Sequence, residues 1–225
     1  MDKKDRERGS ALERLFKSSE IKKIGMEYTE VGIDAFIESG VLQSIPLVST
    51  IVGLCKATGT VKDQLFTEKL VRFLTNFSDL NNNERIDMVE KLNEDNKFAG
   101  KAGARLIEII DRMETENKPE LAACFFKAFA RDEIDFETLR RLLFALERVP
   151  AFDLDYLALF SSTSGSEMSG SDEPRLLGYV NSGLAMNNGG MDGGHIVPTQ
   201  LCKTFVKAGE LKVKKAESNL EHFFE

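Results

Sequence analysis

The stretch Asp79-Leu80-Asn81-Asn82-Asn83-Glu84-Arg85-Ile86-Asp87-Met88-Val89-Glu90 carries the chain's most suggestive chemistry. Oxygen donors Asp79, Asn81, Asn83, Asp87 and Glu90 fall at positions one, three, five, nine and twelve, and Ile86 stands at position eight. That is the donor spacing with which a twelve-residue loop wraps calcium in carboxylate and amide oxygens. The sixth position disagrees: Glu84 stands where the sharp turn needs a residue tolerant of positive φ, normally glycine. The reading we prefer is an Asn-rich helix stop followed by an N-capped acidic helix, with no metal bound.

Other constellations reduce in the same way. Asn187-Asn188-Gly189-Gly190-Met191-Asp192-Gly193-Gly194 is glycine-rich, but no Lys-Ser/Thr pair follows it. It therefore lacks the phosphate-cradling pattern and reads as a hairpin tip, where positive-φ turns need Gly and Asn. His195 and Cys202 lie seven residues apart across an expected strand-to-helix junction, which gives a thiolate pair no support. Asp132, Glu133, Asp135 and Glu137 cluster where a helix starts, and the dipole alone favours acids there. With only two histidines and three scattered cysteines, neither a His-based metal cluster nor a disulfide framework is expected. The expectation is a non-enzymatic protein without a cofactor.

The elements that position these residues are helices. Val61, Leu65, Phe66, Leu70, Phe73, Leu74 and Phe77 repeat at intervals of three and four, one apolar face of a helix. Shorter runs predict helices over 26–39, 84–92 with Ile86, Val89 and Leu92 inward, and about 97–115. Asp135 reads as an N-cap with Ile134 and Leu139 placed to staple across it, opening a helix that Pro150 ends. Short connections between these helices favour antiparallel neighbours. The expected fold class is mainly α: an antiparallel multi-helix bundle over 20–160, after a charged N-terminal segment over 1–19.

Residues 161–174 hold six serines and two glycines and read as a flexible linker. Beyond it, 175–210 predicts a helix, a strand, a long glycine turn, a second strand and a last helix, an order that resembles the winged-helix class. The closing 211–225 is a charged tail. On the last predicted helix Lys203, Thr204 and Lys207 form a polar side suited to a protein partner or to nucleic acid. The tip carries no Arg or Lys for a groove or a phosphate, which favours protein.

The longest apolar run, Val41 to Cys55, is interrupted by Gln43, Ser44, Pro46, Ser49 and Thr50. A spanning helix needs about 20 apolar residues. A buried core helix is the first expectation. The second is a membrane-active effector using 33–57, with Val41, Leu42, Ile45, Leu47, Val48, Ile51, Val52 and Leu54 facing lipid or a partner.

The whole-chain quantities bound these readings. The 225 residues carry 30 Lys and Arg against 37 Asp and Glu, a formal net charge of −7. That excludes a global basic field for nucleic acid and leaves only a local patch. The opening MDKKDRERGS leads into no apolar core of a secretory signal, so a cytoplasmic location, or one against the inner face of the membrane, is expected. Four segments, Gly40-Val41-Leu42-Gln43-Ser44-Ile45-Pro46-Leu47-Val48, residues 58–63, residues 125–136 and the winged-helix-like unit, together resemble a bacterial family of helical proteins. The resemblance implies a bacterial source and a role in defence against phage, and it brings no catalytic residues. Taken together these readings describe an interaction or regulatory protein with a protein partner or self-association. A membrane-active effector and a DNA-binding regulator are the alternatives.

Overall fold

Charged, helix-favouring residues open the chain, yet Ala11, Leu12, Leu15 and Phe16 share one helical face, and that decides where the first helix goes. A computed structural model describes residues 3–31, 33–38, 44–55, 61–94, 101–113, 117–163, 173–189 and 194–213. The chain is mainly helical with a small two-stranded antiparallel sheet, and it divides into two units, Met1–Glu147 and Arg148–Glu225.

In the first unit the helices are α1 (Lys3–Phe16), α2 (Glu20–Val31), α3 (Ile33–Glu38), α4 (Pro46–Cys55), α5 (Val61–Thr75), α6 (Asn82–Glu94), α7 (Ala102–Arg112), α8 (Asn117–Ala130) and α9 (Phe136–Arg148), whose last residue begins the second unit. Ala11, Leu12, Leu15 and Phe16 of α1 are fully buried, and the helix packs on α4, α6 and α7. The expected charged N-terminal segment is therefore a core element, because its few apolar residues all share one face. Ser18 ends α1 by donating to the Leu15 carbonyl (2.8 Å), and its oxygen accepts from the Glu20 N–H (3.2 Å) as α2 begins.

Phe16 sits edge-on to Phe77 (5.0 Å between ring centres), Phe77 meets Phe73 (5.1 Å), and Phe73 meets Phe126 (5.8 Å). These rings join α1, α5 and α8; the Phe16–Phe77 and Phe73–Phe126 pairs are edge-to-face, which suits the ring quadrupoles, and Phe73–Phe77 is tilted. The crossing of α1 and α7 is closer still. A Cβ placed on Gly103 would lie 2.1 Å from the Gly9 carbonyl oxygen, so only glycine fits there. At the same crossing the Gly103 N–H donates to Glu13 Oε1 (2.9 Å) and the Ala102 N–H to Asn93 Oδ1 (3.1 Å), filling the open donors at the start of α7.

Several expectations need correcting. Ile45, Val48, Ile51 and Val52 are buried and Leu47 is half-buried, so these side chains fit the first expectation, a core helix (α4), and not the alternative that had them facing lipid or a partner. Val41 and Leu42 lie outside the described residues, as does the side chain of Leu54. Among the described residues no helix is long and apolar enough to cross a membrane. Met26, at the start of the helix predicted over 26–39, lies within α2 and is 68% exposed, because α2 turns Ile21 and Ile24 to the core. On α6 it is Arg85, with Met88, Val89 and Leu92, that is buried, while Ile86 is only half-buried.

The second unit contains a 3-10 turn (Ala151–Asp153), α10 (Leu154–Ser161), α11 (Glu173–Asn181), β1 (Ala185–Asn187), β2 (Ile196–Pro198) and α12 (Gln200–Ala208). Helix α10 was expected to close the bundle at residue 160; its contacts are instead with α12 and the 3-10 turn. The strands pair Ala185 with Pro198, Met186 with Val197 and Asn187 with Ile196. Gly183, Gly189 and Gly194 all take positive φ around this hairpin, as the glycine content predicted. The stretch read as a linker contributes the end of α10 and the start of α11, with 164–172 outside the described residues.

Candidate functional site

The calcium-like spacing resolves into a helix start. The Glu84 N–H donates to Asn81 Oδ1 (3.0 Å), and the Asn81 N–H donates back to Glu84 Oε2 (2.8 Å), a reciprocal capping box. Helix α6 runs from Asn82, so Asn83, Asp87 and Glu90 project from a helix and do not converge as a loop would require. Asp79 accepts from Lys127 and Arg131 (3.3 Å each), and Glu90 pairs with Lys17 (3.7 Å). Among the described residues no group of three or more His, Cys, Asp or Glu is placed to hold a metal ion.

The same segment conceals a residue that periodicity passed over. Arg85 is fully buried. Its Nε donates to the Phe16 carbonyl (3.0 Å), Nη1 to the Leu80 carbonyl (2.6 Å) and Nη2 to the Ser18 carbonyl (2.9 Å), with Asn82 Oδ1 also in contact. The guanidinium thus closes the C-terminal end of α1, where carbonyls lack helical partners and the dipole favours a cation. Burial lowers its pKa from the ordinary arginine value, and the Glu84 charge works against that shift. The signal that would have found it is the position of Arg85 on the inward face with Met88, Val89 and Leu92, a site that demands a partner for any charge.

In the second unit, the arrangement exposes apolar side chains. Phe152, Tyr156 and Leu159 recur at intervals of four and three, on the side of α10 opposite Leu154, Leu157 and Ala158, which are buried. Phe152 is 77% exposed. The stripe is held rigidly from behind. Buried Asp153 accepts from Arg175 Nε (2.9 Å), its backbone carbonyl accepts from the Tyr179 hydroxyl (2.7 Å), and Arg175 lies 3.7 Å over the Tyr156 ring. Burial, helped by the Asp153 charge, pushes the Tyr179 pKa well above its ordinary value, so the phenol stays a donor.

The expected contact residues of α12 fall on one side of it. Lys203 and Lys207 are exposed, whereas Thr204 is half-buried and donates to the Gln200 carbonyl (3.1 Å). Thr199 caps this helix, its oxygen accepting from the Cys202 N–H (3.2 Å) while its hydroxyl donates to the Gly183 carbonyl (2.9 Å). Cys202 is buried, and desolvation pushes its thiol pKa up to about 12, which leaves it a core residue and no nucleophile. The His195 N–H is spent on Asn188 Oδ1 (2.7 Å) at the base of the hairpin tip. The acid cluster behaves as a helix start: Asp135 accepts from the Thr138 N–H (2.7 Å), bonds that hold its carboxyl below the usual range.

No protein-family model, no curated protein and no solved structure matches this chain.

Proposed function

We propose that this chain is a non-enzymatic interaction protein whose second unit docks a protein partner. One observation carries the reading. Among the described residues, seven of the ten large apolar side chains left in water belong to the second unit: Phe152, Tyr156, Leu159, Leu177, Val180, Met186 and Val213. Water-facing aromatic and aliphatic groups on a pinned helix are the usual anchors of a protein interface. Lys203 and Lys207 supply a charged rim of the kind that steers association. The unit is winged-helix-like in this reading, since two helices lead into a β-hairpin with a Gly/Asn tip and a closing helix.

The buried side chains of α4, packed against α1, support the docking reading over a membrane role. A photo-crosslinking residue placed at 152 or 159 of the full chain, in cells that carry the protein, tests the proposal. The expected outcome is one discrete protein adduct at both positions and none at 26 or 65, exposed apolar positions of the first unit. Adducts to lipid or nucleic acid, or equal labelling at all four positions, would overturn it.

A further inference from the structure

A second surface lies within the first unit and owes nothing to the face just described. Helices α7 and α9 flank a cavity of about 260 Å³ lined by Ile109, Arg112, Met113, Arg140, Leu143, Phe144 and Glu147. On α9 the buried face is Leu139, Leu142, Ala145 and Leu146, so Arg140, Leu143, Phe144 and Glu147 form the outward stripe. Phe144 is 49% exposed, in a unit whose other aromatic rings are so largely withdrawn.

The charges around this floor are unevenly engaged. Arg112 is held by Glu108 one turn back on α7. Among the described residues Arg140 and the Glu147 carboxylate form no ion pair, though Glu147 lends its backbone carbonyl to Lys118 (3.4 Å). Seven residues separate them on one helix, about 10.5 Å along the axis. The groove therefore presents an uncommitted cation at one end, an uncommitted anion at the other and an apolar floor between.

From this we propose that the α7–α9 groove receives an amphipathic helix from a protein partner. The incoming helix inserts one large apolar side chain between Ile109, Met113, Leu143 and Phe144. It carries an acid that meets Arg140 and, two turns away, a base that meets Glu147. The volume favours a side chain over a free metabolite, since small-molecule pockets run to ~300–1,000 Å³. The charge spacing favours a helix over an extended strand, because two helical turns reproduce it on one face and neither wall offers a sheet edge.

A display library of short alanine-based helices with randomised outward positions, selected on the intact chain, reads this directly. The expected winners carry a large apolar residue flanked by an acid and a base seven positions apart. Phe144→Ser used as bait lowers their recovery by about tenfold or more, as truncating a central contact does. Arg140→Glu keeps the apolar preference and turns the selected acid into a base. Melting curves by circular dichroism confirm that both exposed-site variants remain folded. Recovery no better than from a blank surface, the same winners on Phe144→Ser, or an unchanged acid on Arg140→Glu would each overturn the proposal. Loss of the second-unit adducts described above would leave it standing.

Discussion

The two units treat the same residue types in opposite ways. In the first, Phe16, Phe73, Phe77 and Phe126 lock together away from water, and even a guanidinium is enclosed. In the second, Phe152, Tyr156 and Leu159 recur with equal regularity and stand in solvent. The difference lies in neighbours. Helix α1 is met by α2, α4, α6 and α7, whereas the main partners of α10 are α12 and the 3-10 turn. A three-and-four repeat states that side chains share a face; only the number of helices available to cover that face decides whether it becomes core or contact surface.

The largest expected break in this contrast is Arg85→Ala. It strips donors from three carbonyls, two of them in buried bonds, and should cost about 3 kcal/mol or more. Urea unfolding followed by circular dichroism measures it, the chain having no Trp to report by fluorescence. Arg85→Lys should recover less than half, since one ammonium cannot span three divergent acceptors. A loss under about 1 kcal/mol for the alanine variant would mean that the hub is incidental.

Next comes Gly103→Ala, expected to cost about 1–3 kcal/mol, as overpacking against backbone does. Combined with Gly9→Ala it should cost less than the sum, because both force the same crossing apart. Tyr179→Phe sharpens the comparison from the other side. Losing the bond to the Asp153 carbonyl should cost about 1 kcal/mol, and residue-resolved hydrogen exchange should show the amides of α10 and α11 opening faster while those of α5 are unchanged.

The smallest effect is a gain. Glu210 ends α12 at φ 52°, with the Leu211 N–H returning to the Val206 carbonyl (3.0 Å). Glu210→Gly should stabilise by roughly 0.5–1 kcal/mol, since glycine meets no steric penalty there. Asp132, at φ 57°, is the matched control. The same relief there is offset by losing its 2.5 Å contact with Lys91, so Asp132→Gly should shift the thermal midpoint little or not at all.

How far the fold was legible follows from these cases. Gly and Asn content marked the hairpin, and Asp135 marked the start of α9, because turns and caps are local chemistry. The burial of the apolar run in α4 also matched its interruptions by polar residues. What stayed hidden was non-local. Arg85 has acceptors 67 to 69 positions upstream, and no window on α6 contains them. The charged opening hid a core helix because its apolar residues are few, though all are aligned. The exposed stripe of α10 was not read from the sequence, since whether a helix face points outward depends on which helices arrive to cover it.

The contact between Gly9 and Gly103 joins two points 94 positions apart, the second synthesised well after the first. At about 5–20 residues per second, α1 leaves the ribosome roughly 5–20 s before its closest companion exists. For that interval the apolar face of α1 has α4 and the Phe73 and Phe77 rings to close against but not α7, so it is only partly covered. A chain still being made therefore carries the face of α1 partly open, the kind of transient apolar surface that invites aggregation.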